Sequence, residues 1–404
     1  MNLLSAGAFW PIRDGLPVNY PTLDHDADCE VAIVGAGISG ALVAWRLAEA
    51  GIATIVLDRR DVAHGSTAGS TSLLQYELDE PLHRLERRYG QAPARQAYRC
   101  CRDAIDGLAQ LVARLNIDCG FRRRASLLVA CNRSHLPRLR REFTARVAAG
   151  FPVEWWPRSR LARASTLPYP AGILSQEAAE VDGYLLAHGL LSAARERGAA
   201  VYDRTAVKRI RMHRSGVELS AGRNRRVRAR HLVVATGYEA ERMLPRRVTE
   251  WRSTYALVTE PVSGFSGWPG KRCLIWESCD PYLYLRTTAD QRVIMGGGDE
   301  PFLSAAARDR LLTAKTALLH HRLRRLFPRI PSEVAYAWAG TFARTVDGLP
   351  LIGPHPAAPH TWFALGFGGN GITFSFIAAA MIRDFVCGRT PADADLFGFA
   401  RLVR

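Results

Sequence analysis

Lysine is almost missing from this chain of 404 residues. Lys208, Lys271 and Lys315 are its only lysines, and every other one of the 54 basic residues is arginine. Against 38 acidic residues the excess is +16, a figure that bears on solubility and non-specific attraction rather than on fold. The arginines are scattered among acidic and apolar residues, with short clusters at 122–124 and 223–230. No nucleic-acid fold motif accompanies them, so they read as solvated surface charge and a nucleic-acid partner is not expected. Also missing is any C-x-x-C pair among the eight cysteines, which excludes zinc ribbons and thioredoxin-type redox sites. No basic stretch followed by an apolar run opens the chain, so reduced, buried thiols in a cytoplasmic protein are expected. The longest uncharged stretch, 348–382, is broken by prolines and glycines, and no transmembrane segment is expected. No H-E-x-x-H, P-loop or Ser/His/Asp nucleophile motif occurs, and no metal site is expected.

What is present is a soluble globular composition, 48% hydrophobic and 23% charged, with enough chain for two to three domains. Residues 1–28 read as an irregular lead-in. The next 30, CEVAIVGAGISGALVAWRLAEAGIATIVLD, read as strand, glycine turn, helix and strand. The turn is G-x-G-x-x-G, with Gly35, Gly37 and Gly40 enclosing Ala36, Ile38 and Ser39. The first glycine permits the tight turn, the second lets backbone approach a pyrophosphate, and the third lets helix pack on strand. The helix N-terminus then offers free N–H groups and a positive dipole to phosphate. Asp58 ends the second strand, where a carboxylate can bind ribose hydroxyls, which points to FAD or NAD rather than NADP; Arg59 and Arg60 follow it.

Further along, 81–149 reads as mostly helical around a strand-like 126–132, and 184–198 as a helix. A hairpin is expected over 217–230, a buried strand at HLVVATG, and successive strands across 251–298. A helix at 304–326, a strand near 334–340 and an apolar helix from 372 to 385 complete the reading.

In this order and spacing the chain resembles, over nearly its whole length, the glycine/D-amino-acid oxidase-like family of FAD-dependent oxidoreductases. The pieces that carry the likeness are VAIVGAGISG…VLD, GSTAGSTSLLQYELD, VDGYLLAHGLLSAARERGA, HLVVATG, YLYLRTTADQRVIMGGGDE, TVDGLPLIG and GFGGNGITFS. The resemblance implies an α/β fold with an α+β second domain, an FAD-binding Rossmann-like domain interleaved with a mixed or antiparallel substrate sheet. The division expected is 29–80, 150–245 and 332–404 for FAD, with 81–149 and 246–331 for substrate. It also implies that Ser66, Thr67, Thr71, Ser72 and Leu73 run along the flavin, and that Val207 meets adenine. Ala235, Thr236 and Gly237 would end a strand near the FAD, with Gly340 close by. Gly368, Gly369, Asn370 and Gly371 would open the last helix, ahead of Ile372 and Thr373, with its dipole toward the flavin pyrimidine. The flavin would be non-covalent, since no cysteine stands near Gly340 and His64 is misplaced.

The chemistry implied is oxidation of a C–N bond in an amino acid or secondary amine, by hydride transfer to flavin N5 and hydrolysis of the imine. Tyr255, Tyr282, Tyr284 and Arg286 are candidates for the substrate roof, the last three sharing one face of a strand. Gln75 and Glu77 adjoin the flavin segment, while Asp79 and Glu80 read as a helix start. Relatives that bind a carboxylate carry an arginine where this chain has Phe342; Arg344 or Arg286 would have to serve instead. The lysine some oxidases use to activate oxygen is missing, so the acceptor is O2, a quinone or a carrier protein, and a dehydrogenase of a non-carboxylate amine is an alternative. A tRNA-modifying flavoprotein acting on an aminomethyl-type base is another, although no RNA-binding module is appended. A reductase with a second dinucleotide would need a second fingerprint, which MGGG and GFGGNG do not form.

Overall fold

In the computed structural model, which describes residues 3–5 and 7–403, the apolar run at 31–34 becomes part of a strand, Ala27–Val34. It lies between Arg225–Val234 and Thr54–Leu57, parallel to both. Val31, Ala32 and Ile33 expose no surface, as a parallel strand covered on both faces requires. From edge to edge this eight-stranded sheet runs Leu351–His355, Ala358–Leu365, Arg225–Val234, Ala27–Val34, Thr54–Leu57 and Ala200–Tyr202. Gly216–Ala221 and Val207–His213 fold back from Arg225–Val234 as an antiparallel extension. On one face lie the helices Ile38–Glu49, Gly183–Glu196 and Gly371–Val386. On the other, Val217 and Leu219 of the extension join Val227 in a cluster with Ala32, Ile55 and Leu57.

The second sheet has ten strands and is mostly antiparallel. Its order is Leu4–Ser5, Val334–Thr345, Thr249–Thr259, Val293–Pro301, Leu283–Thr287, Leu274–Glu277, Arg122–Val129, Ala171–Glu180 and Leu73–Leu74, with Val153–Pro157 also paired to Ala171–Glu180. Helix Leu312–Leu326 packs Leu319 and Leu323 against Leu257, Leu285 and Met295 on one face. The opposite face carries Thr254, Trp276 and Tyr284, which share a cavity with the glycine turn.

Four expectations change. The lead-in is ordered where it is described: Leu4 pairs with Gly340, and helix Phe9–Asp14 buries Phe9 and Trp10. The helix expected at 304–326 breaks at Leu311 into Ala305–Arg310 and Leu312–Leu326. Strands Leu73–Leu74, Val153–Pro157, Ala171–Glu180 and Val334–Thr345, assigned by segment to the nucleotide unit, hydrogen-bond into the ten-stranded sheet; their partners are distant in sequence, so hydrophobic pattern alone could not allocate them. The thiols are not all reduced, because Cys131 and Cys279 form a disulfide. Parallel pairing sets Val129 opposite Glu277, and each cysteine lies two residues beyond its member of that pair.

Between the sheets, Arg146 is buried with two carboxylates, bonding Glu142 at 2.7 Å and Glu77 at 3.2 Å. Glu142 also accepts from the Leu82 and His83 amides and pairs with the His83 ring. Burial works to raise the Glu142 carboxyl, but Arg146 and His83 outweigh it and hold it at about 2. Its contribution to stability is therefore complete above its ordinary value of 4.5 and lost as the pH falls through about 2. Arg146→Met would leave Glu77 without a counter-charge and Glu142 with His83 as its remaining side-chain partner, and is expected to cost about 3 kcal/mol or more, read as a lower urea midpoint.

Candidate functional site

The two sheets enclose a cavity of about 460 Å³. At one end it is floored by the glycine turn, whose backbone is crowded. A Cβ on Gly35, at φ +109°, would lie 2.4 Å from the Ala235 carbonyl oxygen, and one on Gly40 would lie 1.7 Å from that of Gly35. Gly37 caps helix Ile38–Glu49, and the Ile38 amide donates to Thr67 Oγ1 at 3.0 Å. Ser39 Oγ meets Ser375 Oγ at 2.7 Å, which ties helices Ile38–Glu49 and Gly371–Val386 together. Asp58 accepts the Ala36 amide on one oxygen at 2.7 Å and the Arg60 amide on the other at 2.9 Å. Burial pushes its carboxyl up against the pull of those two N–H groups. Each oxygen keeps a lone pair for a hydroxyl. Arg59 is paired with Glu239 at 2.7 Å, and Arg59, Arg60 and Arg242 line this end with Val207, Ala235, Thr236 and Gly237.

The segment 66–72 crosses the cavity wall. Ser66, Thr67, Thr71, Ser72 and Leu73 all line it. The hydroxyls of Ser66 and Ser72 are buried without a hydrogen-bond partner in the chain, as expected where a ligand completes the bonding. Gly368, Gly369, Asn370, Gly371 and Ile372 line the wall where the last helix starts, and Gly340 lies across from them. The Gly369 amide is already engaged, donating to Asp79 at 2.9 Å. Two expected cofactor residues stand behind the wall instead. Gly40 is buried under the turn, and Thr373 is buried with its hydroxyl donating to the Asn370 carbonyl.

The far end of the cavity is lined by Gln75, Asp79, Thr254, Trp276, Tyr282, Tyr284, Asp299 and Phe342. Tyr282 donates to Asp79 at 3.2 Å, and its ring lies 5.7 Å from that of Tyr284. Tyr284 lies flat on the neighbouring strand because Gly296 stands opposite it; a Cβ there would meet its ring at 2.4 Å. Asp299 Oδ1 is buried with no partner in the chain. Burial, opposed by Thr254 and reinforced by Asp79 and Asp280, pushes the Asp299 carboxyl up to about 7. Burial likewise raises Asp79, against bonds from Gly369 and Tyr282.

Three roof and anchor candidates lie elsewhere. Strand alternation that turns Thr254 into the cavity turns Tyr255 to the opposite face, where it is buried beside Leu257 and Leu283 with its hydroxyl near the Arg308 carbonyl. Arg286 shares a face with Tyr284, but its guanidinium is consumed by the carbonyls of Thr71, Ser72 and Val181 at 2.8–3.2 Å. Arg344 opens on a second, outer cavity of about 340 Å³, 3.7 Å from Asp280 and 3.8 Å from Glu250. Of the sequence candidates for substrate contact, Gln75, Glu77, Tyr282 and Tyr284 line the main cavity, Glu77 with its carboxylate paired to the buried Arg146. Asp79, read as a helix start, and Asp299 were missed as site residues. The only trace of Asp299 in the sequence is an acid directly after the glycine run 296–298.

The glycine cradle, the Asp58 carboxylate and the unpartnered serines fit a dinucleotide with a long ring system. Among the described residues, no cysteine or histidine lines the cavity. The sequence profile described as FAD dependent oxidoreductase matches residues 30–385. The chain is 27% identical to γ-glutamylputrescine oxidoreductase of Escherichia coli (strain K12), across 95% of this chain and 88% of that protein. It is 26% identical to glycine oxidase of Geobacillus kaustophilus (strain HTA426), across 88% and 92%. The crystal structure of glycine oxidase from Geobacillus kaustophilus superposes with a TM-score of 0.78 at 22% identity, over 93% of this chain and 99% of that one; at that identity the likeness is one of fold. No described helix is long and apolar enough to cross a membrane.

Asp58→Ala removes the carboxylate whose free lone pairs would serve ribose hydroxyls and leaves the Ala36 and Arg60 amides without that acceptor. It is expected to weaken dinucleotide binding on the order of 10- to 100-fold, measured as the dissociation constant of the reconstituted cofactor. An unchanged constant would remove Asp58 from the binding site.

Proposed function

The chain belongs to the DAO family of FAD-dependent oxidoreductases and is an enzyme that uses FAD, and we propose that it oxidises the carbon–nitrogen bond of an amine or amino acid to an imine, which water then hydrolyses. The observation that carries this reading is a single cavity with a dinucleotide cradle at one end and a roofed aromatic chamber at the other. FAD, when bound, supplies a hydride acceptor at N5.

The chain's own residues do the rest. Gly35, Gly37, Ile38, Ser39, Asp58 and Val207 hold the nucleotide half, while Ser66, Thr67, Thr71, Ser72, Leu73 and the Gly368–Ile372 turn bracket the flavin half. Trp276, Tyr282, Tyr284 and Phe342 keep water from the reacting carbon, which protects both the hydride step and the charge on nearby groups. Tyr284, fixed by the missing Cβ of Gly296, orients the substrate from above. The acceptor that returns the flavin to its oxidised state is O2, a quinone or a carrier protein. The two curated relatives are named for γ-glutamylputrescine and for glycine, which supports an amine or amino-acid substrate.

Purified protein should be yellow, and acid should release its flavin into the supernatant, as a non-covalent cofactor requires. Anaerobic mixing with a panel of amines and amino acids should bleach the flavin for at least one of them. Repetition in air then separates an oxidase, which recolours, from a dehydrogenase, which stays bleached until a quinone is added. If no amine or amino acid bleaches a flavin that dithionite does reduce, C–N oxidation is wrong.

A further inference from the structure

Charge is segregated along the main cavity. Its basic lining residues, Arg59, Arg60 and Arg242, all lie at the nucleotide end together with Asp58 and Glu239, whereas the substrate end has acids alone in its lining, Asp79 and Asp299 besides the Arg146-paired Glu77. A carboxylate clamp is missing there. Phe342 lines the wall, Arg286 lies outside the lining with its Nη1 held by three backbone carbonyls, and Arg344 lines the outer cavity instead. An amino-acid carboxylate delivered to this chamber would meet two acids whose neighbouring cations, Arg344 near Asp79 and Arg252 near Asp299, lie outside the lining, an arrangement that desolvation makes costly. An ammonium meets the opposite situation. Asp299 offers a buried oxygen that no donor in the chain satisfies, and the faces of Trp276, Tyr282 and Tyr284 attract a cation as well.

Building on the amine-oxidising function above, we propose that the substrate is a di- or polyamine, whose non-reacting ammonium is held by Asp299 and Asp79 where an amino-acid oxidase would hold a carboxylate. The outer cavity shares Asp79, Trp276 and Tyr282 with the main one, so these three residues stand between the two. The charged and titratable groups acting on Asp299 are Asp79, Asp280 and Arg252, with the phenols of Tyr282 and Tyr284 beside it; Arg252 acts from outside the cavity lining. With no cation bound, the Asp299 carboxyl is pushed up to about 7. It is neutral below that value and charged above it, so affinity for a dication should fall as the pH drops through neutrality.

The test titrates the FAD-loaded protein under anaerobic conditions with diaminobutane, with butylamine, which is the same chain less one ammonium, and with glycine. The change in the flavin spectrum reports binding, and bleaching reports oxidation. Diaminobutane should half-saturate at a concentration on the order of tenfold below butylamine, and its advantage should shrink at about pH 6 relative to about pH 8. Asp299→Asn should reduce the ratio between the two amines by a similar factor, and Asp299→Glu should restore part of it. Tighter binding of glycine than of diaminobutane, or equal binding of the two amines by the unsubstituted protein, overturns the proposal whether or not the variants fold. The two readings fail separately. A diamine that shifts the spectrum with this selectivity but is never oxidised keeps the ammonium site and removes the oxidation, whereas bleaching by glycine alone keeps the oxidation and removes the ammonium site.

Discussion

The stretch from residue 66 to 72 is a single helical turn, Ser66–Gly69, followed by irregular backbone, and it runs along the wall of a cavity where loose carbonyls would be costly. Side chains from three other parts of the molecule tie it down. Trp10 donates to the Ser70 carbonyl at 2.6 Å, Trp338 to that of Gly69 at 2.9 Å, and Arg286 to those of Thr71 and Ser72 at 3.2 and 2.9 Å. These donors come from the N-terminal helix and from two strands of the ten-stranded sheet. Holding one wall of the cavity thus requires the chain's beginning, the roof sheet and the nucleotide sheet to be assembled together. The ordered lead-in, the Leu4–Gly340 pairing and the burial of Arg286 all serve that requirement.

The same constraint separates the arginines by task. A guanidinium with five donors in a fixed fork can satisfy several carbonyls at once, which an ammonium does less well. Arg286 spans Thr71, Ser72 and Val181, and Arg401 joins Asp347 to the Leu349 and Gly398 carbonyls. Some of the arginine excess is therefore internal scaffolding, and the rest is surface. The position that could have served as a carboxylate clamp is committed to the wall, and this leaves the substrate chamber with acids alone.

Legibility in the sequence followed the distance over which each feature is built. The glycine turn and Asp58 were readable because strand, turn, helix and acid lie within 30 consecutive residues. The family resemblance extended that to the flavin segment and the last helix. Tyr255 was misplaced because which face of a strand is buried depends on register with Val293–Pro301 and Val334–Thr345, which one strand's alternation does not reveal. Arg286 was misjudged because its acceptors are 105 to 215 residues away. Asp299 was hidden behind a glycine run that reads as a turn, and the Cys131–Cys279 bond depends on a parallel pairing between segments 148 residues apart.

Strand Leu4–Ser5 is two residues long, but it covers the edge strand Val334–Thr345 opposite Gly340 and Ala339. Bare edge strands present unpaired ladder groups that recruit other chains. Here the edge also borders the cofactor chamber, since Leu3, Leu4 and Gly340 all line it. A short N-terminal strand therefore serves as lining and selvedge together, forming part of the chamber wall while finishing a stretch of one sheet margin along which two molecules could otherwise zip into a common sheet.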